Sequence, residues 1–171
     1  MKITLILIAL FTFTNCGKML INRQTDSVAI KKEVDTFLVN WHKAASDANF
    51  DAYFNALDSS SFYIGTAAEE IWTKKDFSAF SKPYFDKGKA WDFKTLERNI
   101  QVNNIGNFVW FNELLHTWMG TCRGSGVLEK VNNNWVIKQY VLSVTIPNND
   151  IQAVIKAKQK NDSIFLKNYK Y

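Results

Sequence analysis

The fold follows from residues 91–146, which read WDFKTLERNIQVNNIGNFVWFNELLHTWMGTCRGSGVLEKVNNNWVIKQYVLSVTI. Its apolar residues alternate with polar ones, as they do in strands that have one buried and one solvated face. Turn-prone segments rich in asparagine and glycine interrupt this alternation three times. They separate four predicted strands, Trp91–Val102, Phe108–Met119, Cys122–Val131 and Trp135–Ile146. The pattern predicts a four-stranded antiparallel meander.

Before the meander, the period of the apolar residues becomes that of helices. Residues recurring every three or four positions predict an amphipathic helix from about Ser27 to Ala45 and a short second helix over Phe50–Leu57. Phe62–Ile64 then predicts a short strand. Helices followed by a contiguous meander indicate an α+β fold.

Thr73 is a predicted amino-terminal cap for a third helix, with Asp76 three residues later as its capping-box partner. Phe77, Phe80 and Tyr84 are expected on the buried side of this helix. Pro83 is expected to kink or restart it, because proline removes a backbone donor and clashes with the preceding turn.

These elements predict a curved antiparallel sheet packed on three amino-terminal helices, which cover its concave face and leave a conical cavity. A further amphipathic helix is predicted within residues 148–171, with lysines on its outer face. Three roles for this helix remain open: it packs back on the cone, covers a dimer edge or, if Cys16 is lipidated, touches anionic lipid.

The amino terminus has the features of an export signal. Lys2 precedes an apolar run, Ile3–Phe13, that is shorter than the roughly 20 residues of a membrane span. Cys16 stands where a bacterial lipoprotein carries its lipidated cysteine. We therefore expect a signal peptide over 1–16, a tether over 17–26, the folded domain over 27–147 and a terminal helix over 148–171. The protein is expected to be exported, as a cell-envelope lipoprotein lipidated at Cys16 or as a soluble periplasmic protein.

The net charge and the cysteine content limit the kinds of binding partner and of stabilisation to be expected. The formal net charge is only +5 and no dense Lys/Arg face accompanies it, so nucleic acid is not an expected partner. Apart from Cys16 the only cysteine is Cys122, so the core must hold the fold without a disulfide framework. The only expected route to a membrane is a lipid on Cys16.

Six segments, taken in order and spacing, resemble the SnoaL-like branch of the NTF2-like superfamily. They are Trp41–Ala45, Tyr63–Thr66, Glu70–Thr73, Trp110–Leu115, Cys122–Leu128 and Leu142–Asn148. The resemblance covers about residues 28–149. It implies a cone-shaped α+β domain, a frequent homodimer, and a pocket used elsewhere for isomerisation, cyclisation, dehydration or plain binding.

The chain departs from this family where related proteins carry catalytic groups. Relatives often have an acidic residue directly after the Gly65-Thr66 pair, where this chain has Ala67, and a histidine near Val141. Without that carboxylate, proton abstraction of the ketosteroid-isomerase kind loses its base. The resemblance therefore does not imply steroid-isomerase chemistry here.

Glu113 and Arg123 lie in predicted strands among apolar residues. Charges in a half-buried sheet are costly unless paired, so we predict an ion pair between them at the pocket wall. A three-residue loop Met119–Thr121, which we favour, puts both on one face, whereas a two-residue turn Gly120–Thr121 puts Arg123 on the face of His116. The pair either contacts a ligand or stabilises the cone.

His42 and His116 are the only histidines. Together with Glu113 they match no familiar metal-ligand spacing, so no metal and no cofactor are predicted. His42 is a candidate proton carrier at the pocket mouth, or else a residue on the flank of its helix.

The candidate ligand wall is aromatic. Its residues fit a packed core equally well, because regularly spaced aromatic side chains are first of all packing devices. They are Trp41, Trp72, Tyr84, Trp91, Trp110 and Tyr140.

Two functions remain after these arguments. The first is binding of a small apolar or amphipathic ligand, oriented by Glu113 and Arg123. The alternative is a cofactor-independent lyase or isomerase that uses Glu113 or His42 as base and Arg123 to stabilise negative charge. A protein that serves only protein–protein interaction would instead fill its cavity with its own side chains.

Overall fold

The computed structural model of the chain describes residues 27–170. It contains four α-helices, α1 over 27–46, α2 Phe50–Asn55, α3 Lys74–Asp86 and α4 Ile151–Phe165. Six strands accompany them, β1 Leu57–Ile64, β2 Ile71–Thr73, β3 Lys94–Val102, β4 Phe108–Thr117, β5 Gly120–Val131 and β6 Asn134–Val144. The predicted signal peptide, Cys16 and tether lie outside the described residues.

All six strands form one curved sheet in the order β2-β1-β6-β5-β4-β3. Strands β3 to β6 pair antiparallel in sequence order, so the predicted meander is confirmed. Two features were not predicted. Strand β1 is longer than Phe62–Ile64 and pairs in parallel with β6, and β2 extends the sheet beyond β1. The sheet packs against the helices as the α+β cone that the sequence predicts.

The core lies between the helices and the concave face of the sheet. Helix α1 buries a stripe formed by Val34, Leu38, Trp41 and Ala45, as its periodicity predicted. Along β4 every second residue is buried, from Val109 to Thr117, whereas the alternate residues face outward. The apolar stripe of α1 and the inward-facing residues of β4 therefore belong to one core.

Helix α3 begins as predicted, since the Thr73 hydroxyl oxygen accepts a hydrogen bond from the Asp76 backbone nitrogen at 3.2 Å. The expected restart at Pro83 is wrong, because α3 continues through it to Asp86. The predicted buried side is also wrong in part.

Phe77, Ser81 and Phe85, spaced four residues apart, are the buried residues of α3. Phe80 and Tyr84 are instead 44% and 48% exposed. The buried stripe therefore follows the spacing of four, which leaves Phe80 and Tyr84 partly exposed in the lining of a cleft.

The predicted terminal helix is present as α4, but none of its residues is fully buried. It faces the outer side of β1 and β6 across an open groove that Ile64, Val141 and Phe165 help to line. Within residues 27–170, none of the helices is long and apolar enough to cross a membrane.

The cap of α3 can be tested by substitution. Thr73→Ala removes the oxygen that accepts from Asp76, and we expect the free energy of unfolding to fall by about 1 kcal/mol in urea denaturation. Thr36→Ala is the matched control, because Thr36 bonds back to the Lys32 carbonyl inside α1. There the change should be zero or slightly stabilising, since alanine favours a helix interior. Equal losses in the two variants would contradict the capping assignment.

Candidate functional site

Glu113 lies at the centre of a buried hydrogen-bond network on the concave face of β4. Its side chain has no solvent exposure. The Oε1 atom accepts hydrogen bonds from His42 Nε2 at 2.8 Å and from the Tyr140 hydroxyl at 2.9 Å. The Oε2 atom accepts from Arg98 Nε at 2.9 Å and from Arg98 Nη2 at 2.7 Å. The carboxylate is thus held on both oxygens.

Arg98 extends the network from β3 to α1. Its guanidinium donates from Nη1 to Asp35 Oδ1 at 2.6 Å and from Nη2 to the Thr95 hydroxyl at 3.0 Å. Only 3% of the Arg98 side chain is exposed. Because the fork binds Glu113 with two nitrogens, geometry and charge both favour this pair over a single-contact lysine.

The partners of Glu113 determine its protonation. Burial alone raises the pKa of Glu113, but the His42 hydrogen bond and charge, followed by those of Arg98, outweigh it and hold the pKa below its ordinary value. Burial and the charge of Glu113 together raise the pKa of Tyr140 well above its ordinary value. The site therefore holds an ionised carboxylate beside a neutral phenol.

Gly124 makes room for this network. It lies opposite Glu113 in the β4–β5 pairing. A Cβ at Gly124 would approach within 2.2 Å of the Tyr140 hydroxyl and 2.9 Å of the Glu113 carboxylate. The glycine is required by close packing across the strands.

The predicted ion pair between Glu113 and Arg123 is wrong. Arg123 pairs with Leu114 in the sheet register and lies exposed on the outer face. Thr117 pairs with Gly120, so the hairpin closes through a two-residue turn, Trp118-Met119, rather than through either predicted loop. This register places Arg123 on the face opposite Glu113, and Arg98 is the arginine that binds the carboxylate.

Aromatic side chains seal the network from the concave side. Trp41 stacks on Tyr53 with ring centres 4.9 Å apart and meets Tyr140 edge-on at 4.8 Å. His42 is buried, 6.2 Å from the Phe93 ring. A general base must reach the proton that it removes. Glu113 and His42 are enclosed here, so their predicted catalytic roles gain no support from the geometry.

A separate cleft of about 360 Å³ opens between α3, the loop before β2 and the β4–β5 turn. Its floor includes Tyr63 and Phe77, whose rings stack at 3.9 Å. Its wall includes Trp72, stacked on Phe80 at 5.0 Å. The remaining lining residues are Gly65, Thr66, Glu70, Tyr84, Ala90, Trp91, Phe93, Trp118, Met119 and Leu142.

The structure divides the predicted aromatic wall between three places. Trp72, Tyr84 and Trp91 line the cleft. Trp41 and Tyr140 are buried in the core around Glu113 and do not line it, so this part of the prediction is wrong. Trp110 is 47% exposed on the outer face of the sheet, because it alternates with the inward-facing Phe111.

Three residues of these sites were not predicted from the sequence. Arg98 stands two positions before the buried Ile100, so strand alternation places it on the inner face. Asp35 has a half-exposed side chain on α1 and contacts Arg98 at the helix flank. Glu70 lines the cleft only because its loop folds back, and no periodicity indicates this.

Helices on the concave side of a six-stranded sheet, with an apolar cleft at one end, define an NTF2-like α+β domain. The family model for the SnoaL-like domain matches residues 34–147. This chain belongs to the SnoaL-like domain family.

Solved structures share the fold at low sequence identity. An NTF2-like protein of unknown function from Pseudomonas putida aligns with a TM-score of 0.61 and 11% identity over 71% of this chain and 91% of its own. An NTF2-like protein from Cytophaga hutchinsonii aligns with a TM-score of 0.57 and 14% identity over 67% of this chain and 98% of its own. The association domain of CaMKII from C. elegans aligns with a TM-score of 0.58 and 19% identity over 69% of this chain and 98% of its own. No curated protein sequence matches the chain.

The assignment of Arg98 as the partner of Glu113 predicts unequal effects of two arginine substitutions. Arg98→Met leaves a buried carboxylate without its cation and should lower the free energy of unfolding by about 3 to 5 kcal/mol. Arg123→Met, on the exposed face, should change it by less than about 0.5 kcal/mol. Denaturant unfolding of both variants measures the difference, and a larger loss for Arg123→Met would contradict the network.

The lowered pKa of Glu113 predicts acid sensitivity. Its contribution to stability is complete above its ordinary pKa of 4.5 and is lost as pH falls through the lower pKa of the folded state. Glu113→Gln should therefore be less stable than wild type at about pH 5, by about 3 kcal/mol, because it breaks the buried pair. The gap should narrow toward about pH 2.5 in denaturant titrations. A gap that is independent of pH would show that the Glu113 charge adds nothing to stability.

Proposed function

We propose that this chain is an exported ligand-binding protein that holds a small apolar or amphipathic molecule in the cleft beside α3. The observation that carries the proposal is the cleft itself, a hollow of about 360 Å³ walled mainly by aromatic rings. Pockets for small molecules commonly have volumes of about 300 to 1,000 Å³ and mostly apolar walls.

The rim of the cleft supports binding rather than packing. Trp118 at the β4–β5 turn is 81% exposed, and Phe80 and Tyr84 are also open to solvent. Exposed aromatic side chains clustered around a hollow are typical of an interaction site, whereas a packed core would cover them.

The position of the buried charges favours binding over the lyase or isomerase alternative. Glu113 and His42, the two predicted bases, do not line the cleft, and both oxygens of Glu113 are already hydrogen-bonded. Arg123 lies on the outer face of the sheet. We therefore assign Glu113 and Arg123 no ligand contact, in contrast to their predicted orienting role.

Export is proposed from the amino-terminal sequence. The Ile3–Phe13 apolar run after Lys2 and the following Cys16 support either a cell-envelope lipoprotein or a soluble periplasmic protein. A homodimer, common among NTF2-like proteins, is part of the same proposal.

Binding can be tested with the uncharged fluorophore N-phenyl-1-naphthylamine and the full-length protein. We expect saturable binding with one site per chain, seen as an increase in probe fluorescence. Trp118→Ala removes a rim ring and should weaken binding about fivefold, within the range for one aromatic contact. Trp110→Ala is the matched control, since it removes an exposed tryptophan from the outer face.

Two results would overturn the proposal. One is the absence of saturable binding to the wild-type protein. The other is an equal loss of affinity in Trp118→Ala and Trp110→Ala, which would place the probe outside the cleft. Native mass spectrometry of the protein purified from its own cell envelope would then identify the class of any retained ligand.

A further inference from the structure

Among residues 27–170, Glu70 is the one acidic residue that lines the cleft. The loop between β1 and β2 folds back on itself, since the Gly65 backbone nitrogen donates to the Glu70 carbonyl at 2.9 Å. The Glu70 carboxylate returns toward the start of this loop, where its Oε2 atom accepts from the Ala67 backbone nitrogen at 3.0 Å. The side chain is thus placed by backbone contacts.

Gly65 provides the space for this carboxylate. A Cβ at Gly65 would lie 2.3 Å from Glu70 Oε2 and 2.9 Å from its carboxyl carbon. Any larger residue would push the carboxylate away from the loop. The local sequence is therefore built around a negatively charged group at the edge of the cleft.

No cation of residues 27–170 neutralises Glu70. Ion pairs in that part of the chain include Glu113 with Arg98 and Asp58 with Lys138, but none involves Glu70. Residues 27–170 contribute no lysine, arginine or histidine to the cleft lining. Among them, the only other groups of the lining that can ionise are the hydroxyls of Tyr63 and Tyr84.

The negative charge of Glu70 affects Tyr63, which also lines the cleft. Burial raises the pKa of the Tyr63 hydroxyl, and the negative charge of Glu70 raises it further. Tyr63 lies on the floor of the cleft, stacked on Phe77. The lining therefore combines the carboxylate of Glu70 with several aromatic side chains.

Aromatic faces attract cations through the negative potential above the ring, and tryptophan does so most strongly. Trp72, Trp91 and Trp118 all line the cleft. A carboxylate without a cation among these rings suits a positively charged organic group, whereas an anion would meet repulsion. The formal charge of +5 belongs to the whole chain, whereas the charged residue in the cleft lining is Glu70.

We propose that the cleft takes an organic cation, a substituted ammonium group joined to an apolar body, with Glu70 as its counter-ion. This inference rests on the proposed binding function and narrows its ligand class. The ammonium group lies against the tryptophan faces and Glu70, and the apolar body fills the floor at Tyr63 and Phe77.

The experiment compares two ligands of the same shape. Phenyltrimethylammonium carries the charge, and tert-butylbenzene replaces its nitrogen with carbon. Each is titrated into the full-length protein, with displacement of N-phenyl-1-naphthylamine as the readout. Glu70→Gln keeps the shape and the acceptor oxygen for Ala67 but removes the charge. Glu69→Gln is the matched control, because Glu69 is exposed and does not line the cleft.

We expect Glu70→Gln to weaken phenyltrimethylammonium about tenfold and to leave tert-butylbenzene unchanged. Glu69→Gln should leave both affinities unchanged. The inference is overturned if Glu70→Gln affects both ligands equally, or if only the neutral ligand binds the wild-type protein; the proposed binding function survives in both cases. If neither ligand nor the fluorophore binds, both proposals fail.

Discussion

The architecture depends on one constraint, that an ionised carboxylate in the centre of the core must be fully paired. An unpaired buried charge would cost several kcal/mol, a large part of the stability of a domain of this size. The Glu113 carboxylate is paired by hydrogen bonds with His42 from α1, Arg98 from β3 and Tyr140 from β6. Gly124 on β5 leaves the space. Five elements therefore share one set of contacts, and the curvature of the sheet cannot change without disturbing it.

The same network divides the concave side into two regions. Both oxygens of Glu113 are hydrogen-bonded behind a layer of aromatic rings, so the carboxylate is withdrawn from the cleft. The cleft that remains beside α3 is mainly apolar, with Glu70 at its edge. The arrangement that pairs the Glu113 carboxylate in the core is therefore also the one that keeps this carboxylate out of the cleft.

Sequence patterns predicted the features that repeat and missed those that depend on a single contact. Alternation placed the meander, and a period of three to four placed α1, because many residues contribute to each pattern. The position of Arg123 failed since one residue in a hairpin turn reverses the face of a whole strand. Strand β2, with three residues, is too short for any period. The back-folded carboxylate of Glu70 and the flank contact of Asp35 depend on tertiary placement, which no local pattern records.

The parallel pairing of β1 with β6 has a consequence for how the molecule folds. Tyr63 sits beside Tyr140, so the sheet closes between segments that the ribosome makes far apart in time. Hairpins of the meander form locally and quickly, but this closure must wait for the last strand, and long-range pairing slows folding. Until then β1 and β5, the two neighbours of β6, both present unpaired edges, which makes the nascent chain most prone to self-association just before β6 is made.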